Sequence, residues 1–565
     1  MGASADIIYT GGWIFTAQSE EPEQLGVAVT GERITAVGPD EDIEKLAGPD
    51  TQRVNLAGAL LTPGFQDGHI HPVSGGIELL QCNLSDVEDA DGALATIAAY
   101  AAANPDEAWI LGGGWSMDHF PGGTPTRGAL DAIVPDRPVI LSNRDHHGAW
   151  ANTRAFELAG IDASTPDPVD GRLEREADGY PAGTVHEGAM DLFNEVKPVV
   201  DAELAYAGLL KAQQNLLDLG VTGWQDAAVG AVFGGPDNMV TYQNAMAEGT
   251  LKARVVGAQW WERDGGLEQL ERLSERRELV ATTGTGQFTA STVKIMVDGV
   301  AENFTAALLS PYCDGHGHET PNAGLSFIDP EQLKSYVTAL DAAGFQVHFH
   351  AVGDRAVREA LDAVEAARTA NGPDGGRHHI AHIQVVADAD VRRFAPLGVS
   401  ANMQALWACH EDQMDDLTLP FMEPDAEEHH YPFGDFRDAG AHLAAGSDWP
   451  VSSANPIDAI HVAVNRTTPD SGLPELGAPR QRLGLGTALR AYTAGTAYVN
   501  GAEASTGAIA PGFLADLALL YPNPFDVDRA QIHATEVQAT WVGGQQLHSH
   551  PQTDRFLTEE TQCAR

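Results

Sequence analysis

Lysine is almost missing from this 565-residue chain: Lys45, Lys197, Lys211, Lys252, Lys294 and Lys334 are all there are. Basic residues of both kinds number 33 against 80 acidic ones, a formal net charge of −47. So acidic a surface argues against a nucleic-acid or anionic-membrane partner, because both would be repelled. It speaks to solvation, not to activity. Cysteine is scarce as well. Cys82, Cys313, Cys409 and Cys563 lie far apart without CxxC spacing and read as free thiols of a reducing compartment. No apolar run of about 18 residues and no basic-then-apolar N-terminus is found, so neither a membrane span nor a secretory signal is expected, and the cytoplasm is the expected location. What is present is a hydrophobic fraction of 43%, that of a folded protein, in a chain too long for one simple core.

The first 60 or so residues alternate strand-like pieces with Gly turns, as in Asp6–Tyr9, Trp13–Thr16, Gly26–Val29 and Arg33–Val37. The C-terminal end has the same character at Ala515–Leu520 and Glu536–Val542. The two ends are expected to complete one small β-sandwich, over residues 1–62 and 478–548. Between them strand-like and helical pieces alternate, the pattern of a parallel sheet. Eight strand candidates end at His71, Trp224-Gln225-Asp226, Gln259-Trp260, Lys294 to Asp298, His348-Phe349-His350, Ile380-Ala381-His382, Met403-Gln404 and Gly446-Ser447-Asp448. The expected fold is therefore α/β, a (β/α)8 TIM barrel over residues 63–477 with its active site at the C-terminal strand ends. The gap between the first two strands is too long for one βα unit. Residues 105–187, rich in Gly, Pro and Asp, are read as an inserted subdomain or lid.

Thr62-Pro63-Gly64-Phe65-Gln66-Asp67-Gly68-His69-Ile70-His71-Pro72 reads as a buried strand ending in two histidines. Residues two apart on a strand project from one face about 6.5–7 Å apart, so His69 and His71 can aim two imidazoles at one metal ion. A bare H-x-H means little in a chain with 21 histidines. The whole segment, however, resembles the first-strand signature PGF-x-D-x-H-x-H of the amidohydrolase superfamily. Downstream matches point to amidohydrolase family 3, the branch of N-substituted formamide deformylase, and the resemblance runs from about Asp6 to about Val542.

Lys294 lies in the apolar strand Ser291-Thr292-Val293-Lys294-Ile295-Met296-Val297-Asp298-Gly299. A buried lysine is costly unless paired or chemically altered, and the residues alone leave an ion pair with Asp298 or another acid open. The resemblance implies instead the family's fourth-strand lysine, carboxylated by CO2 so that its carbamate can bridge two metals. It likewise implies His350 as the fifth-strand ligand, His382 as the sixth and Asp448, in Gly446-Ser447-Asp448-Trp449, as the eighth. His348 is read as a supporting or packed residue, and His378-His379 as off register. His316-Gly317-His318, with no strand before it, reads as an exposed loop, or alternatively as a substrate-contacting one.

In the family pattern His69, His71 and Asp448 hold one metal, His350 and His382 the other, and carboxylated Lys294 bridges them. Imidazole and carboxylate donors suit Zn2+, with Mn2+, Fe2+ or Co2+ as alternatives. Asp448 is the expected proton carrier. Gly112-Gly113-Gly114-Trp115 and Asn143 to Asn152 resemble segments lining the site's mouth, which makes Trp115 an expected substrate contact and His147 an expected catalytic residue, a substrate or transition-state contact; His146 stands where a glycine is more usual. Trp224, Trp407 and Trp449 are also placed near the mouth. The implied reaction is hydrolysis of a C–N bond in an amide, N-substituted formamide or cyclic amide, on a small-molecule substrate. Decarboxylase, isomerase or hydratase chemistry at the same metal site stays open, as does a non-catalytic, regulatory protein. A homodimer is compatible with these readings.

Overall fold

The computed structural model describes residues 4–232, 235–551 and 556. Eight strands make its central sheet: β1 (Phe65–Ile70), β2 (Val221–Val229), β3 (Arg254–Trp260), β4 (Phe288–Met296), β5 (Gln346–Ala351), β6 (His379–His382), β7 (Ser400–Met403) and β8 (His442–Ala445). Each pairs in parallel with the next in sequence, and β1 pairs with β2. The seam between β8 and β1 is closed just past the end of β8, where Asp448 N–H donates to the His69 carbonyl at 2.8 Å and His71 N–H to the Trp449 carbonyl at 2.9 Å. With helices between the strands this is the (β/α)8 barrel that the alternating pattern predicts.

Period-2 alternation decides what faces where. On β4, Val293 and Ile295 join the hydrophobic layer under the helices, and on β5 Val347, Phe349 and Ala351 do the same. Lys294, His348 and His350 are thereby left to the barrel interior. The helix after β1, Pro72–Glu78, starts directly on His71 and packs on the long helix Ala202–Asp218. That helix is capped by Asp201, whose carboxylate accepts Leu204 N–H, and it buries Ala205, Leu209, Ala212 and Leu216 on one face. The two helices meet glycine to glycine: a Cβ on Gly76 would come within 1.9 Å of the Gly208 carbonyl oxygen. The backbone carrying His71 is thus pinned from behind.

Two further sheets flank the barrel. One of four strands uses Ala5–Thr10, Gly26–Thr30, Arg33–Gly38 and Ala47–Asn55. The other joins Trp13–Ile14 and Leu60–Pro63 to Leu517–Tyr521, Glu536–Val542 and Gln545–Ser549 from the far end of the chain. Their shared core includes Tyr9, Val27, Leu61, Leu517 and Trp541. The residues just after 478 depart from the expected boundary. Leu485–Arg490 and Thr496–Val499 are helical, and the Thr496 hydroxyl donates to the Ala445 carbonyl of β8 at 3.0 Å, so this stretch packs on the barrel.

Between β1 and β2 a six-stranded sheet is built from Cys82–Asn83, Ile110–Trp115, Val139–Asn143, Gly148–Ala151, Gly171–Arg175 and Pro181–Glu187. It begins at Cys82, ahead of the expected residue 105, because the short first strand pairs with Gly112-Gly113. Cys82, Cys313 and Cys409 are buried free thiols; Cys563 lies outside the described residues. Among the described residues no helix is long and apolar enough to cross a membrane.

Candidate metal centre

At the C-terminal end of the barrel, His69 Nε2 and His71 Nε2 each stand 3.1 Å from Asp448 Oδ1. One ligand atom each from His69, His71 and Asp448 lies within 4.8 Å of the other two. The remaining expected ligands surround this triple. Lys294 Nζ is 3.5 Å from His69 Nε2, His382 Nδ1 is 3.8 Å from Asp448 Oδ2, and the His350 ring centre is 4.3 Å from that of His382. Strands β1, β4, β5 and β6 and the turn after β8 thus bring all six residues to one place.

Burial and charge suit a cation. Asp448 Oδ1 and His382 Nδ1 are buried and have no hydrogen-bond partner. Such orphaned atoms are expensive in a folded protein unless something else satisfies them. Burial, reinforced by Lys294, pushes the His69 pKa down to about 3, and burial also holds His350 and His382 well below the usual histidine range. The imidazoles are therefore neutral, as metal donors must be. Asp448 sets a carboxylate among them, its Oδ1 approached by both His69 Nε2 and His71 Nε2. His350 Nε2–H donates to the Gly299 carbonyl at 3.2 Å, which leaves its lone pair on Nδ1. Neutral nitrogen donors beside an ionised oxygen donor fit a divalent metal.

Burial lowers the Lys294 pKa to about 7, with Asp448 acting in the opposite direction. The ion pair with Asp298 that the sequence leaves open is not formed. Asp298 accepts backbone N–H groups from Ala307, Val352 and Gly353 at 2.8, 3.0 and 2.9 Å instead. Among the described residues no other carboxylate lies within ion-pair distance of Lys294.

His147 stands over the centre from the insertion, its ring 5.8 Å from that of His350. Burial works against its charged form, but the Glu187 carboxylate, 2.9 Å from Nδ1, prevails and raises the pKa to about 9. Glu187 is held in turn by the Thr305 hydroxyl at 2.9 Å. Nothing in a lone glutamate 40 residues beyond His147 marks it in the sequence. His146, in the left-handed region at φ 62°, faces Glu78 at 3.0 Å.

Two tryptophans are not where the sequence places them. Trp115 is wholly buried inside the insertion, gives its indole N–H to the Leu141 carbonyl at 2.8 Å and packs edge-on against Phe120 and Trp150. A packing role replaces the substrate contact expected of it, since its strand turns this side chain into the insertion's own core. Trp224 is likewise buried, against Tyr242 beneath the helices. Trp407, by contrast, is only partly buried and stacks flat on His382 at 5.4 Å, and Trp449 covers Gly75 of the helix after His71. His316 and His318 lie on an exposed loop, where His318 pairs with Asp314.

The comparisons with known proteins agree with this geometry. The sequence model of the Amidohydrolase family matches residues 52–548. The Arabidopsis thaliana protein LONG AFTER FAR-RED 3 is 32% identical over 97% of this chain and 92% of its own length. N-substituted formamide deformylase of Arthrobacter pascens is 26% identical over 92% of this chain and 94% of its own. Among solved structures, an uncharacterised metal-dependent hydrolase from Pyrococcus horikoshii superposes with a TM-score of 0.70 at 25% identity, covering 93% of this chain and 99% of that one. Fold and site together define a metal-dependent hydrolase on a TIM barrel. The chain belongs to the amidohydrolase family, in its family 3 branch.

Proposed function

We propose that this protein hydrolyses a C–N bond of a small amide, N-substituted formamide or cyclic amide at a centre held by His69, His71, Lys294, His350, His382 and Asp448. The observation that carries the reading is the convergence of His69 Nε2 and His71 Nε2 on an Asp448 oxygen that accepts no hydrogen bond. When bound, a divalent metal, zinc by the donor chemistry, would lower the pKa of water towards 7 and polarise the substrate carbonyl. The low pKa of Lys294 leaves much of its amine neutral near pH 7, the form that adds CO2 to give a carbamate.

Asp448 takes the proton from the attacking water and passes it to the leaving nitrogen. The carbonyl carbon gains the water oxygen, the C–N bond breaks with its electron pair on nitrogen, and the products are a carboxylic acid and an amine. With Nδ1 engaged by Glu187, protonated His147 has Nε2–H left to donate to the carbonyl oxygen as negative charge develops there. The formamide class is supported by the similarity to N-substituted formamide deformylase.

The test is metal analysis of the purified protein, followed by a panel of N-formyl, N-acyl and cyclic-amide substrates in H2(18)O. The expected result is bound divalent metal and one 18O in the acid product of the substrates turned over. A product formed by loss of CO2, or one that gains no 18O, overturns the hydrolytic reading.

A further inference from the structure

Below the candidate ligands the barrel interior holds a polar chain whose members come from β1, β2, β5, β6 and β7. Every hydrogen bond in it can be given a direction, because it starts on groups that can only accept. Gln346 Nε2 donates to the carbonyls of Arg377 at 2.6 Å and Val499 at 2.7 Å. That turns Gln346 Oε1 towards Gln225 Nε2, which donates to it at 3.1 Å. Gln225 Oε1 is then an acceptor, and it takes His348 Nδ1–H at 2.7 Å and His379 Nε2–H at 2.9 Å.

Both histidines are neutral on packing grounds. They are wholly buried, and among the described residues neither has a carboxylate within ion-pair distance to balance a second proton. His379 keeps its lone pair on Nδ1, where Asn402 Nδ2 donates at 3.1 Å while also donating to the Gly68 carbonyl at 2.8 Å. His348 keeps its lone pair on Nε2, only 2.7 Å from His69 Nδ1. The proton between those two rings therefore belongs to His69 Nδ1. With its proton held on Nδ1, His69 turns Nε2, the atom facing Asp448, to the candidate metal position as the nitrogen free to ligate.

We propose that Gln225 and His348 are positioning residues that fix the tautomer of His69, presenting Nε2 as a ready metal donor. This rests on the metal-centre reading above. Partners of metal-ligating histidines commonly lock ring and tautomer in this way, but with a carboxylate or a carbonyl. Here a second, neutral histidine does so, set by Gln225, which is oriented in turn by Gln346 and, through it, by two backbone carbonyls. No charge is needed in the barrel interior.

Neutron diffraction from crystals of the chelator-treated full-length protein in D2O reads the relay directly. Deuterium is expected on His69 Nδ1, His348 Nδ1 and His379 Nε2; deuterium on His348 Nε2, or none on His69 Nδ1, overturns the proposal. Zinc affinity, measured by competition with a chromophoric chelator, reads the consequence. Gln225→Leu and His348→Phe are each expected to weaken zinc binding by about 10–100-fold. Gln225→Glu, which keeps an acceptor oxygen, is expected to recover most of the loss. Wild-type affinity in Gln225→Leu, or no recovery in Gln225→Glu, would sink it. The proton map needs no metal, so its failure is distinct from a failure of the wild-type protein to bind zinc, which would overturn the metal centre instead.

Discussion

Asp67 and Ser447 tie the first barrel strand to the turn that follows the last: both Asp67 carboxylate oxygens accept the Ser447 N–H at 3.1 Å, and Oδ1 also accepts the His69 N–H at 3.0 Å. One buried side chain thereby sets the offset between His69 and Asp448, the two ligands nearest the seam. Asp67→Ala should leave both N–H groups buried and unpaired, at roughly 1–3 kcal/mol each. The expected outcome is a lower melting temperature together with substoichiometric metal, read by calorimetry and elemental analysis. Full metal content in a destabilised variant would show that the seam does not set the ligands.

Gly446 makes a sharper test of the same seam. A Cβ there would lie 2.6 Å from the His69 backbone nitrogen and 2.9 Å from its Cβ, neither of which is the movable end of a side chain. Gly446→Ala should therefore displace His69 or Asp448 and lose metal, while circular dichroism still reports the folded barrel.

His147 and Glu187 predict a pH dependence with a definite sign. The His147 pKa is raised from its ordinary 6.5 to about 9, so the ring is a charged donor at neutral pH and loses its proton as pH climbs past about 9. The ratio kcat/KM should fall on that alkaline limb. The pair's contribution to stability is fully present below 6.5 and is lost as pH rises through about 9. Glu187→Gln removes the opposing charge, burial then dominates, and the limb should move to lower pH. An unmoved limb in that variant would take His147 out of the reaction.

The ligand residues were legible because each sits at a strand end within a local pattern, such as Asp67 to His71, and the family resemblance supplied their joint order. Period 2 also separates His348 and His350 from their apolar neighbours. What local pattern could not show is partnership across the barrel. Gln225 is an unremarkable polar residue in a strand until β2 faces β5 and β6, and Glu187 acquires meaning only when the insertion folds back on His147. The misplacement of Trp115 has the opposite origin. The resemblance offered its segment for the mouth, but no local pattern shows that its side chain packs inside the insertion, against Phe120 and Trp150.

Lys294 should show its chemistry during reconstitution. Its amine is mainly neutral above about pH 7 and mainly protonated below. If carboxylation builds the centre, metal uptake by chelator-treated protein should quicken with added bicarbonate and slow sharply as pH falls below 7. Lys294→Ala should lose most bound metal and nearly all activity, and a short-chain acid with bicarbonate should restore part of both. Bicarbonate-independent uptake by the wild-type protein would leave Lys294 an ordinary buried amine.

Metal removal and Asp448 give the last prediction. The Asp448 carboxylate is buried and its Oδ1 accepts no hydrogen bond, so without a cation the folded state bears an unsatisfied charged acceptor. A metal that binds only the folded chain stabilises it by about 2.7 kcal/mol when its free concentration is 100 times Kd. The melting temperature of chelator-treated wild type should therefore rise with added zinc in a concentration-dependent way. Asp448→Asn keeps the side-chain shape but removes the charge and replaces one oxygen with a donor. That variant should melt near the chelator-treated wild type, gain little from zinc and turn over no substrate. If zinc raised its melting temperature as much as that of the wild type, the metal would be held without Asp448, and the convergence of His69 and His71 on this carboxylate would be packing rather than coordination.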